Sequence, residues 1–226
     1  MIKVITIDGP ACSGKGTLAR NIANSLGWFH LDSGLLFRTV GFVFMRHPEF
    51  PHNQETLANL LLDIDFSYDS KKLKVSYQGD DISTELKTEV VGKWASIFAQ
   101  ESFVRDILKK MQRQLAEVVG SLVADGRDMG VEVFPDAICK FYVYANLEVR
   151  AKRRYLEQRS IDSGVQLKDV AHMLEERDRR DSLREFSPLK KAIEAIEIDT
   201  SFDSIDQTLS IMKAHLKKMN ISSFEE

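Results

Sequence analysis

The chain opens Ile2-Lys3-Val4-Ile5-Thr6-Ile7-Asp8-Gly9-Pro10-Ala11-Cys12-Ser13-Gly14-Lys15-Gly16-Thr17-Leu18, and the reading of this stretch decides the fold. Ile2, Val4, Ile5 and Ile7 form a short β-branched run that stops at Gly9-Pro10, as a buried strand ending in a loop does. Beyond the loop, Leu18, Ile22 and Leu26 recur at helical spacing, and Gly27 follows as a C-cap. The order is strand, glycine-rich loop, helix.

Gly9 to Thr17 therefore sits where a phosphate-binding loop must sit. Glycines let backbone N–H groups turn inward around a polyphosphate, the helix N-terminus adds positive potential, and Lys15 can reach β and γ phosphates. The bland alternative is a glycine-rich turn with a surface lysine. The residue after Lys15 is Gly16, so the hydroxyl arrives one position later, at Thr17. Gly-Lys-Gly-Thr endings resemble those of nucleoside monophosphate kinases more than those of switch GTPases. Cys12 is either a thiol whose pKa the helix N-terminus depresses or a small side chain filling space.

Composition bounds what surrounds the loop. With 226 residues, 43% hydrophobic and 29% charged, the chain can build one α/β domain with small insertions over a site. Lys and Arg total 31 against 34 Asp and Glu, which argues against a broad basic surface for nucleic acid and makes any phosphate chemistry local. Cys12 and Cys139 are too far apart in sequence for a metal-ligand spacing, and a reducing cytoplasm is expected. No stretch approaches the roughly 18 apolar residues of a membrane span, and the N-terminal run is too short for a signal peptide.

Further along, a helix is expected near Ser33, and an apolar periodic stretch through Leu57, Leu60, Leu61 and Ile64. Phe66, Tyr68, Leu73, Val75 and Tyr77 then alternate with polar residues between turns at Asp69-Ser70 and Gly79-Asp80, which predicts a small antiparallel β insertion. Thr84 to about Val119 reads as two helices broken near Glu101 or Ser102. Ser121–Ala124, Ile138–Tyr144 and Ala195–Ile198 read as strands joining the first in a parallel sheet. Leu147–Leu183, interrupted at Ser163-Gly164, reads as a charged helical hairpin standing away from the core. Ser204 with Gln207 predicts a capping box for a last helix. The expected fold class is a three-layer α/β/α P-loop NTPase fold with its core at about 1–60, 105–150 and 190–226. An acceptor-binding insertion that includes the small β sheet falls at about 61–100 and the helical lid at about 155–185.

Two further clusters suggest chemistry. Asp125-Gly126-Arg127-Asp128 lies at the carboxyl end of an expected parallel strand, where open α/β sheets bind ligands, and a guanidinium there can grip a phosphate by two hydrogen bonds. Asp128 is otherwise a turn-capping aspartate. Arg177, Arg180 and Arg184 share one helical face with Asp181, either as a solvated charge run or as a lid that neutralises a transferring phosphoryl group and excludes water. The five histidines show no usable pattern.

The ordered set Leu31-Asp32-Ser33-Gly34, Phe37-Arg38, Gly126-Arg127-Asp128-Met129-Gly130, Phe134-Pro135-Asp136-Ala137 and Glu176-Arg177-Asp178 with Arg180, Asp181 and Arg184 resembles bacterial cytidylate kinases over nearly the whole chain. The resemblance implies transfer of the γ-phosphate of ATP to CMP or dCMP. It implies that Arg38, Arg127 and Arg184 hold the acceptor phosphate, with Ser33 and Phe37 in the same subsite. Ser96, Arg105 and Asp128 would hold the cytosine, and Arg177 and Asp181 the ribose. The donor nucleotide would lie on Gly9 to Thr17 with Arg153 or Arg154 nearby, and Lys15, Arg127, Arg177, Arg180 and Arg184 would stabilise the transition state. Mg²⁺ would arrive with ATP, with no direct protein ligand assigned and Thr17 a candidate. A cytoplasmic monomer without nucleic-acid or membrane partners is the accompanying expectation.

Some positions depart from the family pattern. Phe37 stands for a tyrosine and removes a hydroxyl; Lys93 stands for a small amide and Val131 for a threonine. Lys191 and Glu194 alter a late Pro-Leu-x-Pro-Ala-x-Asp-like segment. Two rivals remain at this point: a P-loop kinase for another small acceptor, and a nucleotide switch, which would need a guanine-reading Asn-Lys-x-Asp that the chain lacks.

Overall fold

A computed structural model describes residues 2–69, 72–159 and 164–221. β1 (Val4–Asp8) is fully buried and runs into the glycine loop, which opens α1 (Lys15–Leu26), closed by Gly27 in the left-handed region at φ 68°. β2 (Phe29–Asp32) leads directly into α2 (Ser33–Arg46), whose N-cap is the Asp32 side chain accepting from the Leu35 N–H at 3.3 Å. α3 (Gln54–Leu60) precedes β3 (Ile64–Asp69), β4 (Lys72–Tyr77) and the short β5 (Asp80–Asp81). α4 (Glu89–Phe98) and α5 (Ser102–Val119) follow, then β6 (Leu122–Gly126), β7 (Cys139–Tyr144), α6 (Leu147–Arg159), α7 (Leu167–Leu183), β8 (Ile196–Asp199) and α8 (Ile205–Lys218).

The sheet order is β3-β4-β2-β6-β1-β7-β8, with β5 paired to β4. The five strands from β2 to β8 are parallel, and β3-β4-β5 form the antiparallel insertion, joined to β2 among the described residues through the pair His30 with Lys72. Alternation along the strands divides the core. Val4, Leu122 and Ala124 face a cluster with α2 to α5, whereas Ile5, Ile7 and Val123 face one with α1 and α8. That is the three-layer arrangement expected of parallel strands buried on both faces. The break between α4 and α5 and the Ser204–Gln207 capping box fall where they were expected.

Three expectations need correction. The periodic run through Ile64 is not one helix: α3 ends at Leu60, a 3₁₀ turn covers 61–63, and Ile64 begins β3, where its side chain joins the main core. Arg184 is not on the helical face of α7 but is its C-cap, with extended backbone at ψ 145°. The α6/α7 hairpin does not stand away from the core, because Ala151, Val170 and Leu174 pack on Ala11 of the glycine loop. The turn expected at Asp69-Ser70 and the break expected at Ser163-Gly164 lie partly outside the described residues.

Close backbone approach fixes two places. A Cβ at Gly9 would sit 1.9 Å from the Val143 carbonyl oxygen, so only glycine lets the phosphate loop leave β1 beside β7. A Cβ at Gly41 would come within 2.6 Å of the Ala95 nitrogen, where α2 crosses α4. Gly41→Ala is expected to destabilise the protein by about 2 to 3 kcal/mol through overpacking and to lower its melting midpoint by roughly 5 to 10 °C. Calorimetry of the purified variant checks this.

Candidate active site

The phosphate loop is braced from behind. Arg150, buried at the start of α6, donates to the Ala11 carbonyl at 3.3 Å, and the Thr200 hydroxyl donates to the Ser13 carbonyl at 2.9 Å. Lys15 donates to the Pro10 carbonyl at 3.2 Å. With these carbonyls engaged, the loop amides and the α1 N-terminus are available to an anion. Cys12 holds a left-handed backbone conformation at φ 58°, a strain of roughly 1 to 2 kcal/mol for a residue with a side chain.

In front of the loop lies one cavity of about 580 Å³. Its wall includes Ala11, Cys12, Lys15 and Gly16 from the loop, and Ser33, Phe37 and Arg38 from α2. Ser96 comes from α4, Arg105 from α5, Arg127 and Asp128 from the end of β6, and Arg177, Arg180, Asp181 and Arg184 from α7 and its cap. Nine Lys and Arg side chains against six Asp and Glu line it. The cavity is thus locally cationic in a chain of net charge −3, which suits it to phosphates.

Distances divide the cavity into subsites. Arg105 donates through Nη1 to Asp128 Oδ2 at 2.8 Å and through Nε to the Ala99 carbonyl at 2.7 Å, with its guanidinium 5.2 Å from the Phe37 ring centre. Ser96, also buried, lines the same cavity, and its hydroxyl has no hydrogen-bond partner among the described residues. Arg38 is aimed by the Leu86 and Thr88 carbonyls, at 2.7 and 3.0 Å, and lies against Gly92. Asp128 stands at the N-cap position of a π-helical turn, Met129–Val133, yet makes no capping bond through its side chain, so the capping reading of that residue fails.

Asp181 ties the far wall together, accepting from Arg127 Nε at 2.9 Å and lying 3.7 Å from Arg184 Nη1. Burial pushes its carboxyl upward, but Arg127 and Arg177 outweigh this and hold it below the ordinary range. Arg184 also donates to the Ser187 carbonyl at 2.6 Å. Burial, then the charge of Arg127, brings Arg177 down to about 10; burial, then Arg105, does the same for Arg184. The buried Nε atoms of Arg177 and Arg180, and Nη2 of Arg184, have no partner among the described residues. Buried guanidinium nitrogens left without a partner are costly until an acceptor meets them.

Not every expected residue lines the cavity. Arg153 does not line it and instead donates to Thr200 at 3.1 and 2.6 Å, with Nη1 3.9 Å from the position a Gly14 Cβ would take. Arg154 enters the cavity but pairs with Glu89 of α4 and with Glu157. Thr17 is exposed on the first turn of α1. Lys93 lines the cavity, whereas Glu194 pairs with buried Lys140, and Lys191 with Glu197. Sequence reading missed Arg150, which also bonds Asp178 at 2.5 Å and so joins the loop to α7. It missed His30 as well, whose Nε2 lies 2.7 Å from Asp125 Oδ1 beside Gly16. Asp8, accepting from the Met129 and Gly130 N–H groups, was likewise missed. A buried partner fixes each of these, and such partners leave no local spacing signal.

The family model for cytidylate kinase matches residues 5–218. The chain belongs to the cytidylate kinase family. A protein called cytidylate kinase from Pseudomonas fluorescens is 44% identical over 210 residues, covering 91% of each chain. One from Coxiella burnetii is 41% identical over 225 residues, covering 97% of this chain and 94% of its own. A solved structure of an uncharacterized protein from Eubacterium ventriosum superposes with a TM-score of 0.51 at 15% identity, covering 95% of this chain and 98% of its own, and shows the fold alone. Of the motif stretches, 31–34, 37–38, 126–130 and 176–184 each contribute residues to the cavity wall, whereas Phe134 to Ala137 do not.

Lys15 gives a pH prediction. Burial, then the charge of Arg127, lowers its ammonium from 10.5 to about 8. Above that pH it is neutral in the free protein and loses its attraction for phosphate. The thermal stabilisation by inorganic tripolyphosphate is therefore expected to shrink as pH rises from 7 to 9.5, and not to shrink in Lys15→Gln. Differential scanning fluorimetry reads both, and an undiminished wild-type shift at pH 9.5 would contradict the assignment.

Proposed function

We infer that this chain transfers the γ-phosphoryl group of ATP to the phosphate of CMP or dCMP, yielding ADP and CDP or dCDP. The observation that carries the reading is the buried Arg105–Asp128 pair facing the same cavity as Lys15. A carboxylate accepts the exocyclic amino group of cytosine, and a guanidinium donates to its acceptor edge. Arg105 takes Oδ2 of Asp128, which leaves Oδ1 for the amino group, and the unpaired Ser96 hydroxyl supplies a further polar contact. Uracil would set a carbonyl oxygen against Asp128, and a site that must bond a substrate group rejects analogues lacking it by factors on the order of 10⁴.

The phosphate of the acceptor fits between Arg38, Arg127 and Arg184, with Ser33 and Phe37 beside it and Asp181 and Arg177 toward the ribose. ATP lies along Gly9, Pro10, Ala11, Cys12, Ser13, Gly14, Lys15, Gly16 and Thr17. An oxygen of the acceptor phosphate bonds to the γ-phosphorus as the bond to the β,γ-bridging oxygen breaks, and that oxygen leaves with its electron pair on ADP. Lys15, Arg127, Arg177 and Arg180 neutralise the charge spread over the transferring group, the main work of such sites. The α6/α7 hairpin, which the same reading makes the lid over about 155–185, keeps water from competing as acceptor.

A divalent cation accompanies ATP in kinase chemistry, and the donor set here fits one. Asp125 Oδ2 lies 3.5 Å from the position a Gly16 Cβ would take. Burial, then the charge of Asp125, raises the carboxyl of Asp32 beside it, a repulsion that a cation relieves. Mg²⁺ is the proposed ion: the Thr17 hydroxyl would hold it and Asp32 and Asp125 its waters, and it would draw charge from the β and γ phosphates. No described helix is long and apolar enough to cross a membrane. On this reading the enzyme is a cytoplasmic monomer whose partners are its two nucleotides.

Two variants test the assignments in an ADP-release assay with ATP and Mg²⁺. Asp128→Ala is expected to lower kcat/KM for CMP by about 10²- to 10³-fold while leaving the low UMP rate nearly unchanged. Arg177→Ala is expected to lower kcat by about 10³-fold with little change in KM for ATP. Wild-type turnover equal for CMP and UMP would remove the base assignment and leave a P-loop kinase for another acceptor.

A further inference from the structure

Asp8 is buried at the last residue of β1, immediately before the phosphate loop, and no part of the transfer just described uses it. Both its oxygens are engaged: Oδ1 accepts the Met129 N–H at 2.9 Å and Oδ2 the Gly130 N–H at 2.8 Å. In the strand ladder Asp8 also pairs directly with Gly126. Arg127 and Asp128 are therefore the tip of a short loop held by one residue at both ends, through strand pairing at Gly126 and through the carboxylate at Met129 and Gly130.

The chain is tight at both anchors. A Cβ at Gly126 would lie 2.8 Å from Met129 Cγ, and one at Gly130 would lie 2.8 Å from Thr6 Oγ1 and 3.1 Å from Lys140 Cδ. The π-helical turn that starts at Met129 exposes the unpaired N–H groups any helical N-terminus has, and an aspartate in the N-cap position, as Asp128 is, ordinarily satisfies them itself. Here Asp128 has turned to Arg105, and Asp8 supplies the acceptors from the neighbouring strand. That service is costly: burial drives the Asp8 carboxyl up to about 7 despite the two N–H bonds.

Resting on the proposed function, we propose that Asp8 is a positioning residue for acceptor selection, capping the Met129 turn so that Asp128 is free to read the base. It links the strand that carries the donor loop to the residues that hold the acceptor. Asparagine at this position keeps the shape but offers one acceptor and sets an amino group against the second N–H.

Asp8→Asn is expected to raise KM for CMP about tenfold and to lower the CMP-to-UMP ratio of kcat/KM by a similar factor, since displacements near 1 Å cost up to about 10²-fold. KM for ATP should move less than about threefold, because Arg150 and Thr200 brace the phosphate loop independently. Gly130→Ala displaces the same N–H from the other side and should give the same signature. In an Asp128→Ala background, Asp8→Asn should leave the CMP-to-UMP ratio unchanged. Hydrogen exchange on the wild type adds a test free of variants, with slow exchange expected at the Met129 and Gly130 amides. Equal increases in both KM values, an unchanged CMP preference in the single variants, or fast exchange at those amides would overturn the positioning role. A wild type that does not prefer CMP would instead overturn the functional reading beneath it.

Discussion

Guanidinium groups packed at the carboxyl end of a parallel sheet repel one another, and the rest of this structure is arranged around that repulsion. Arg127, Arg177 and Arg184 meet at Asp181, whose carboxylate bonds the first and stands near the third, while Arg105 leans on Asp128 and Arg38 on two backbone carbonyls. The pairing is incomplete by design of the chemistry. Buried nitrogens of Arg177, Arg180 and Arg184 keep no partner among the described residues, a cost that the proposed binding of phosphate would recover.

That arrangement explains why the hairpin of α6 and α7 folds down on the core instead of standing clear. Asp178 bonds Arg150, and Arg150 holds the Ala11 carbonyl of the phosphate loop; Asp181 bonds Arg127 beside it. The helix that carries Arg177 and Arg180 is thereby fastened to the glycine loop and to the residues after β6, and a small apolar cluster of Ala11, Ala151, Val170 and Leu174 adds contact. Charge alone in a half-solvated helix contributes little, whereas these pairs are largely buried.

Much of this was legible in the sequence. The β-branched run before Gly9 and the helical spacing after Lys15 gave strand, loop and helix, because period and glycine placement are local properties. The cavity gathers Ser33, Phe37, Arg38, Arg127, Asp128 and the arginines of α7, but Phe134-Pro135-Asp136-Ala137 do not line it. Where tertiary burial decided, sequence was silent or misleading. Ile64 kept the helical period yet serves as the first residue of a strand, since the core needed its side chain there. Arg184 kept the spacing of Arg177 and Arg180 but left the helix as its cap. Asp8, His30 and Arg150 have no motif of their own, because their partners lie far away in the chain.

One cavity is proposed to hold both nucleotides, with cytosine at Asp128 and the phosphate loop facing the acceptor phosphate across the arginine cluster. A crystal structure of the complex with CMP and a non-hydrolysable ATP analogue tests it most directly. The cytosine amino group is expected on Asp128, the CMP phosphate among Arg38, Arg127 and Arg184, and the terminal phosphate of the analogue on Lys15 in line with it. A CMP bound with its base away from Asp128 and Arg105, or with its phosphate outside the arginine cluster, would contradict it.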